Sequence, residues 1–431
     1  MTGSTTSPTA PSPALAAETR TLLAAARAAA TVLAPASTQL KNAFLARTAA
    51  LLLEKQQEIV EANSADLALA VAAGRNAAFV DRLRLDARAI ANLARSVGEI
   101  EALPDPVGMI TSGSRRPNGL EVRKQRIPIG VIGIIYESRP GVTIDAAALC
   151  IKAGNAVVLR GGSEAQRSNR ILAELLREAL HAAGLPADAV QVPQSQDRAA
   201  IDALVSVPGG LDLVIPRGGT ALIEAVQRSA RVPVIQHYQG VCHLFVHAAA
   251  DLEKAARVVV NAKAQRPGVC NAVEAILVDA AIAPSAVPKL CAELRAAQVE
   301  IRGCERVQAL EGAAVVPATD ADLGHEYLDL IVLMRVVDGL DGAIAHIRRY
   351  GSGHTEGILT EDLGAAQRFI AEVDASCVVV NASTRFNDGG CLGLGAEIGI
   401  STSKLHAYGP MGLEALTAEK YVVIGNGQVR T

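Results

Sequence analysis

The sequence predicts an α/β protein with two domains, each built on a parallel sheet, plus a small β arm. Three observations carry this expectation. Short apolar runs of strand length, such as PIGVIGIIY within 127–136, look like strands covered on both faces. Amphipathic helical runs separate them, which is the alternation of a parallel sheet with crossover helices. The alternation occurs twice along 431 residues, a length too great for one ordinary core.

The elements follow in order. Residues 17–100 read as consecutive helices, with Leu, Ala and Val recurring at three- and four-residue spacing, and Asn63 or Ser64 is placed to start one of them. Residues 107–126 are polar and suit a hairpin arm turning at Pro117-Asn118-Gly119, where Asn-Gly tolerates positive φ. Strands are expected at 127–136, 156–159, 189–192 and 211–215, and helices at 143–152, 167–183 and 198–205. The theme returns with helices at 251–263, 284–297, 341–349 and 362–373 and strands at 275–279, 330–336, 357–360 and 377–380. Residues 420–430 alternate like a strand and suit pairing with the 107–126 arm. The expected division is a tail at 1–16, a nucleotide-binding domain of 17–106 with 127–249, a thiol domain of 250–400, and an arm and closing segment of 107–126 with 401–431.

Composition narrows the function classes. A net charge of −3 gives no electrostatic footprint for nucleic acid or an anionic membrane, so neither partner is expected. No apolar run approaches the roughly 18 residues of a membrane helix. Seven cysteines without CxxC spacing suit a reducing compartment, for which the cytoplasm fits. The Ser-, Thr- and Pro-rich stretch 1–16 reads as a disordered tail, lacking the basic and apolar regions of a signal peptide.

The most informative residues are 265–271, QRPGVCN, which present Cys270 after a helical run and a Pro-Gly break. Thiolate is the nucleophilic form, and Arg266 with the turn N–H groups suits its stabilisation. The competing reading is a buried structural cysteine. Two Gly turns, RGGS at 160–163 and RGGT at 217–220, each follow a strand and lead into a helix. Such turns admit close approach to phosphate at a helix N-terminus, and an arginine at a strand end suits a ribose 2′-phosphate, hence NADP. His237, Cys242, His243 and His247 invite a metal, but strand alternation turns Cys242 away from His243 and His247 and no carboxylate or CxxC completes a set, so no metal is expected. The Gly-rich run 386–397 suits either a loop over a site or a crossover between domains.

Several strings resemble the gamma-glutamyl phosphate reductases of the aldehyde dehydrogenase superfamily. They are IPIGVIGIIYESRPGVTIDAAALCIKAGNAVVLRGGSEA, VNAKAQRPGVCNAVEAILV, AIAHIRRYGSGHTEGILTEDL, and VVVNASTRFNDGG with GLGAEIGISTSKLHAYGPMGLEALT, and the likeness covers everything after the tail.

That resemblance implies an aldehyde dehydrogenase-like fold and an enzyme of proline biosynthesis that uses NADPH to reduce glutamyl phosphate to the semialdehyde. It implies a homo-oligomer and a glutamate kinase as possible partner. Cys270 matches the nucleophile, with its own N–H and Ser138 as oxyanion donors. Arg160, Gly162, Ser163, Gly218, Gly219, Thr220 and Glu326 match cofactor positions, Glu326 at the nicotinamide ribose. Arg139, Arg266, Ser383, Thr384 and Arg385 match positions for the substrate's phosphate and carboxylate. His237 stands where relatives that hydrolyse a thioester carry a Glu base, which argues against the alternative of a carboxylate-forming dehydrogenase. Gly141 and Tyr408 depart from the family's usual Asn and Arg.

Overall fold

The structure is a computed structural model that describes residues 12–195, 197, 199–235 and 239–430. The chain forms two compact units. The first comprises Met1–Gln236, Leu394–Gly399 and Met411–Thr431; the second comprises His237–Gly393 and Ile400–Pro410.

Five helices open the first unit: α1 (Pro13–Leu33), α2 (Thr38–Glu54), α3 (Gln56–Ala72), α4 (Ala77–Leu83) and α5 (Ala87–Ala102). Ser12 caps α1 by accepting the Leu15 N–H, and Pro13 occupies the first turn, where its missing N–H leaves no bond unmade. Ser37, Asn76 and Asp86 cap α2, α4 and α5 in the same way. Most of the expected tail, 1–11, lies outside the described residues; 13–16 are helical instead.

The start expected at Asn63–Ser64 is not one, because α3 runs through it. The Ser64 hydroxyl donates back to the Val60 carbonyl at 2.8 Å. Asn63 is buried, donating to the Leu83 carbonyl at 2.8 Å and accepting the Leu85 N–H at 2.7 Å. A tertiary contact therefore overrides the local capping preference.

After the strands β1 (Ile110–Arg115) and β2 (Glu121–Pro128) come β3 (Val131–Tyr136), α6 (Val142–Lys152), β4 (Ala156–Arg160), α7 (Gln166–Ala182), β5 (Val190–Gln191), α8 (Ala199–Ser206), β6 (Leu213–Arg217) and α9 (Thr220–Ser229). Strands β5-β4-β3-β6 form a parallel sheet in that order. Every residue of β3 and β4 is buried, as their continuous apolar sequence requires. The chain steps from β3 to β4 to β5 in one direction, then returns past all three to β6. Crossover direction thus reverses beside β3, which opens a crevice outside the carboxyl ends of the strands. Ser138 and Arg139 follow β3, the 160–163 turn follows β4 and the 217–220 turn follows β6.

The second unit runs β7 (Cys242–Val246), α10 (Leu252–Ala264), β8 (Val273–Asp279), α11 (Ala283–Ala296), β9 (Glu300–Gly303), α12 (Glu305–Glu311), β10 (Val316–Pro317), β11 (Ile331–Val337), α13 (Gly339–Tyr350), β12 (Thr355–Leu359), α14 (Leu363–Glu372) and β13 (Cys377–Val380), with a small ladder of β14 (Ile400–Ser401) and β15 (Gly409–Pro410). Its parallel sheet has the order β10-β9-β11-β8-β7-β12-β13. Alternation divides the strand side chains between two cores: Leu244, Ile276, Val278 and Met334 pack with α10 and α11, whereas Phe245, Leu277, Val337 and Ile358 pack with α13 and α14. Strand β7 belongs to this sheet, so the boundary drawn from sequence near residue 250 falls one strand too late. Its continuous apolar run pairs with β8 and β12, and nothing in that local pattern identifies the sheet it joins.

Strand β16 (Thr417–Ile424) pairs antiparallel with β2, and β1 with the other edge of β2. The arm and its pairing segment thus form a three-stranded sheet, with the closing strand a few residues earlier than 420–430. The hairpin turns at Gly119, where φ is +89°.

Candidate active site

Helix α10 ends at Ala264 and β8 begins at Val273, so Cys270 lies on the turn between them, at the amino end of its sheet. Cys270 is half-buried. Burial raises the thiols of Cys150, Cys242, Cys291 (to about 12) and Cys377, which keeps all four protonated at neutral pH. They are structural cysteines.

The thiol turn is held from several directions. The Cys242 thiol, at the start of β7, donates to the Cys270 carbonyl at 3.2 Å. The Thr384 hydroxyl donates to the Asn271 carbonyl at 2.7 Å. The Asn271 amide donates to the Asn387 carbonyl at 2.9 Å, and the Asn387 amide donates to the Thr355 hydroxyl at 2.8 Å at the start of β12. Such ties hold the Cys270 backbone in place through groups other than its sulfur.

Positive charge gathers beside it. The Arg385 guanidinium is depressed first by burial and next by Arg266, while Asp388 and the Cys270 sulfur oppose the shift. Arg385, Arg266 and Cys270 are therefore electrostatic neighbours, and cations so placed favour thiolate over thiol. Gln265 accepts the Arg385 Nε–H at 2.9 Å, and the buried Ser383 hydroxyl accepts the Arg385 backbone N–H at 3.3 Å. Thr384 requires correction: it is fully buried with its hydroxyl given to Asn271, so it positions the thiol turn and offers no face to substrate.

Glu326 accepts the Gly240 N–H at 2.9 Å through one oxygen. Burial raises its carboxyl above the usual range. Nearby, Lys263 and Glu274 form an ion pair at 2.6 Å with side chains 0% and 1% exposed. Burial lowers the Lys263 amine and raises the Glu274 carboxyl, each opposed by the other's charge. His237 lies outside the described residues.

In the first unit, Arg160 is buried and its guanidinium donates to the carbonyls of Gly161 at 3.1 Å and Asp197 at 3.4 Å. A β-carbon at Gly162 would lie 2.2 Å from the Glu164 carboxylate, which would have to swing aside to admit it. Gly219 precedes α9 with open space around it and no side-chain cap, which leaves the first helical N–H groups available for phosphate. Glu137 accepts the Gly219 N–H at 3.1 Å, a carboxylate resting where an anion is favoured. Gly218 and Thr220 flank it.

Ser138, at φ +46°, donates both its N–H (2.7 Å) and its hydroxyl (3.0 Å) to Glu164. Its donors are engaged within this unit, so the expected oxyanion role needs Glu164 to release them. Arg139 is exposed. Gly141 precedes α6, where a β-carbon would press on Leu93 at 3.3 Å. Tyr408 donates to the Gly353 carbonyl at 3.4 Å and carries Lys404 over its ring at 5.6 Å.

Of the residues considered for a metal, the three described ones each have a protein partner. His243 Nδ1 lies 2.9 Å from Glu356, His247 Nδ1 lies 2.8 Å from the Thr360 hydroxyl, and Cys242 serves the Cys270 carbonyl. Sequence reasoning missed Glu137, Glu164, Asn271, Asn387 and the Lys263–Glu274 pair. Only Asn271, beside the thiol, carried a local signal.

The model of the aldehyde dehydrogenase family matches residues 8–309. The gamma-glutamyl phosphate reductase of Solidesulfovibrio magneticus is 54% identical over 416 residues, 96% of this chain and 99% of that one. That of Anaeromyxobacter sp. (strain K) is 53% identical over 420 residues, covering 96% and 98%. The crystal structure of the Thermotoga maritima gamma-glutamyl phosphate reductase superposes with a TM-score of 0.94 at 45% identity, covering 96% of this chain and all of that one. An acetylating aldehyde dehydrogenase from Geobacillus thermoglucosidasius, 18% identical, shares the fold with a TM-score of 0.70 over 97% of this chain and 98% of that one. With a thiol on a turn beside two arginines and relatives matched over nearly their whole length, this chain belongs to the aldehyde dehydrogenase family and, within it, to the gamma-glutamyl phosphate reductases.

Proposed function

We propose that this chain reduces L-glutamyl 5-phosphate to L-glutamate 5-semialdehyde with NADPH, releasing phosphate through a thioester on Cys270. The observation that carries this reading is the half-buried Cys270 beside Arg266 and Arg385, in a chain 54% identical to a gamma-glutamyl phosphate reductase.

The two guanidiniums favour the thiolate and attract an anionic acyl phosphate. Cys270 Sγ attacks the acyl carbon, and the C–O bond to phosphate breaks, leaving a thioester. A nicotinamide cofactor, when bound, would be the source of the hydride that the thioester carbonyl carbon accepts. The hemithioacetal oxygen then returns its electrons to carbon, the C–S bond breaks, and aldehyde leaves with the thiolate restored. Each tetrahedral stage carries an oxyanion, for which the Cys270 N–H is the donor at hand; such donors contribute about 3–4 kcal/mol.

Arg160 and the 217–220 turn are the groups for the adenosine phosphates, with Gly162 and Ser163 beside them, and Glu326 is the group for the nicotinamide ribose. Support for the phosphate assignment comes from the uncapped, open start of α9. Arg160 at the end of β4 supports a ribose 2′-phosphate and hence NADPH over NADH. Arg139, Arg266, Ser383 and Arg385 are the substrate's anion-binding residues. The working compartment is the cytoplasm, the enzyme is a homo-oligomer, and a glutamate kinase supplies its labile substrate.

The test runs the reaction backwards: NADP⁺ reduction with glutamate 5-semialdehyde, with and without inorganic phosphate, for wild type and Cys270→Ala. Dependence on both phosphate and Cys270 is the expected result. Full activity without phosphate, or in Cys270→Ala, would overturn the reading.

A further inference from the structure

The segment bearing Glu326 ends in a strained turn. Leu328 has φ +54°, a left-handed conformation unusual for a leucine, and its side chain is 46% exposed, so apolar packing does not hold it. What holds the backbone is Glu274, whose Oε1 accepts the Leu328 N–H at 3.3 Å. The other oxygen of Glu274 takes the buried Lys263 ammonium at 2.6 Å, and the Tyr327 ring lies 5.9 Å over that ammonium. Lys263 stands before the thiol turn, on α10, and Glu274 after it, on β8. The Leu328 carbonyl oxygen would be 3.7 Å from a β-carbon on Gly268, so the strained turn abuts the thiol turn itself.

We propose that Lys263 and Glu274 are positioning residues whose buried pair pins the Glu326–Leu328 turn against the Cys270 turn and thereby sets where the nicotinamide ribose is received. The inference rests on reading Glu326 as the ribose-binding acid. A left-handed Leu328 persists only if its surroundings over-determine it, and the Glu274 carboxylate is the group that does so. Lys263 fixes that carboxylate so that its free oxygen faces the Leu328 N–H. A buried pair of this kind adds little net stability compared with apolar replacements, which suits a positioning role better than a stabilising one.

Two double variants separate position from stability. Lys263→Met with Glu274→Met removes the charges and the acceptor; Lys263→Met with Glu274→Gln removes the charges and keeps an acceptor for Leu328. The first should weaken NADPH binding, read as nicotinamide fluorescence on the protein without substrate, by about tenfold. It should raise the deuterium isotope effect on reduction and leave iodoacetamide alkylation of Cys270 within about twofold. The second should stay within about threefold of wild type in NADPH affinity. Equal loss in both variants, or unchanged affinity in the first, would overturn the proposal. Hydrogen exchange in the wild type gives an answer even if the variants fail to fold: the Leu328 amide should be protected, and exchange at the unprotected rate would overturn it. Glu326→Gln tests the underlying reading separately. If that variant binds NADPH normally, the ribose assignment fails; if it binds weakly while the double methionine variant binds normally, only the positioning inference fails.

Discussion

A β-carbon on Gly240 would stand 2.0 Å from the carbonyl oxygen of Cys270, so the chain entering β7 and the thiol turn meet backbone to backbone. No rotamer change relieves such a contact, because both partners are main chain. Gly240→Ala should therefore shift the Cys270 turn and, with Cys270 as the proposed nucleophile, lower kcat by about 100-fold. The alkylation rate of Cys270, measured beside the melting temperature, checks this; wild-type kinetics in a folded variant would contradict it.

Thr384→Val keeps the shape of a buried side chain and removes its hydroxyl. The Asn271 carbonyl loses its 2.7 Å donor. A loss of about 1–2 kcal/mol in denaturant unfolding is expected, together with reduced kcat, since the tie lies one residue from the proposed nucleophile Cys270. Unchanged unfolding would show that the hydroxyl is replaceable by other donors.

Asp145 supplies a pH test in the first unit. Burial raises its carboxyl to about 6, against a weak opposing bond from the Ser96 hydroxyl at 3.4 Å, although the residue keeps part of its surface. A carboxyl raised on folding binds its proton more tightly in the native state. Its contribution is complete below the unfolded value and is lost as pH climbs towards 6. Asp145→Asn should thus out-melt wild type at pH 7.5, by about 1–2 kcal/mol after allowing for solvent screening, with the gap narrowing at pH 5. A gap independent of pH would refute this assignment.

The arm leaves Tyr421, Val423 and Ile424 exposed at 69%, 56% and 46%. A thin sheet with apolar residues on its surface suits a contact between copies. Tyr421→Glu with Val423→Glu should produce a smaller species by light scattering at unchanged helical content. An unchanged mass would remove the arm from the assembly.

Much of the architecture was legible because its signals are local. Fully buried strands such as β3 announce themselves by continuous apolar sequence, and the Gly turns after β4 and β6 stand where the backbone must bend. The placing of Cys270 on a turn was legible from its own seven residues. The membership of β7 was not, since its burial comes from partners in β8 and β12 that its sequence does not name. Glu164 and Thr384 illustrate the same limit: their partners, Ser138 and Asn271, are reached only through the fold. Asn63 failed differently, its capping preference yielding to a buried contact with Leu83 and Leu85.

The order of segments also constrains how the protein is made. Strand β2 leaves the ribosome before the second unit, whereas its partner β16 follows that unit. The second unit can therefore mature while one edge of β2 still waits for its neighbour. Any assembly built on the arm must come after translation of β16, and until then a chaperone has a bare strand edge to hold.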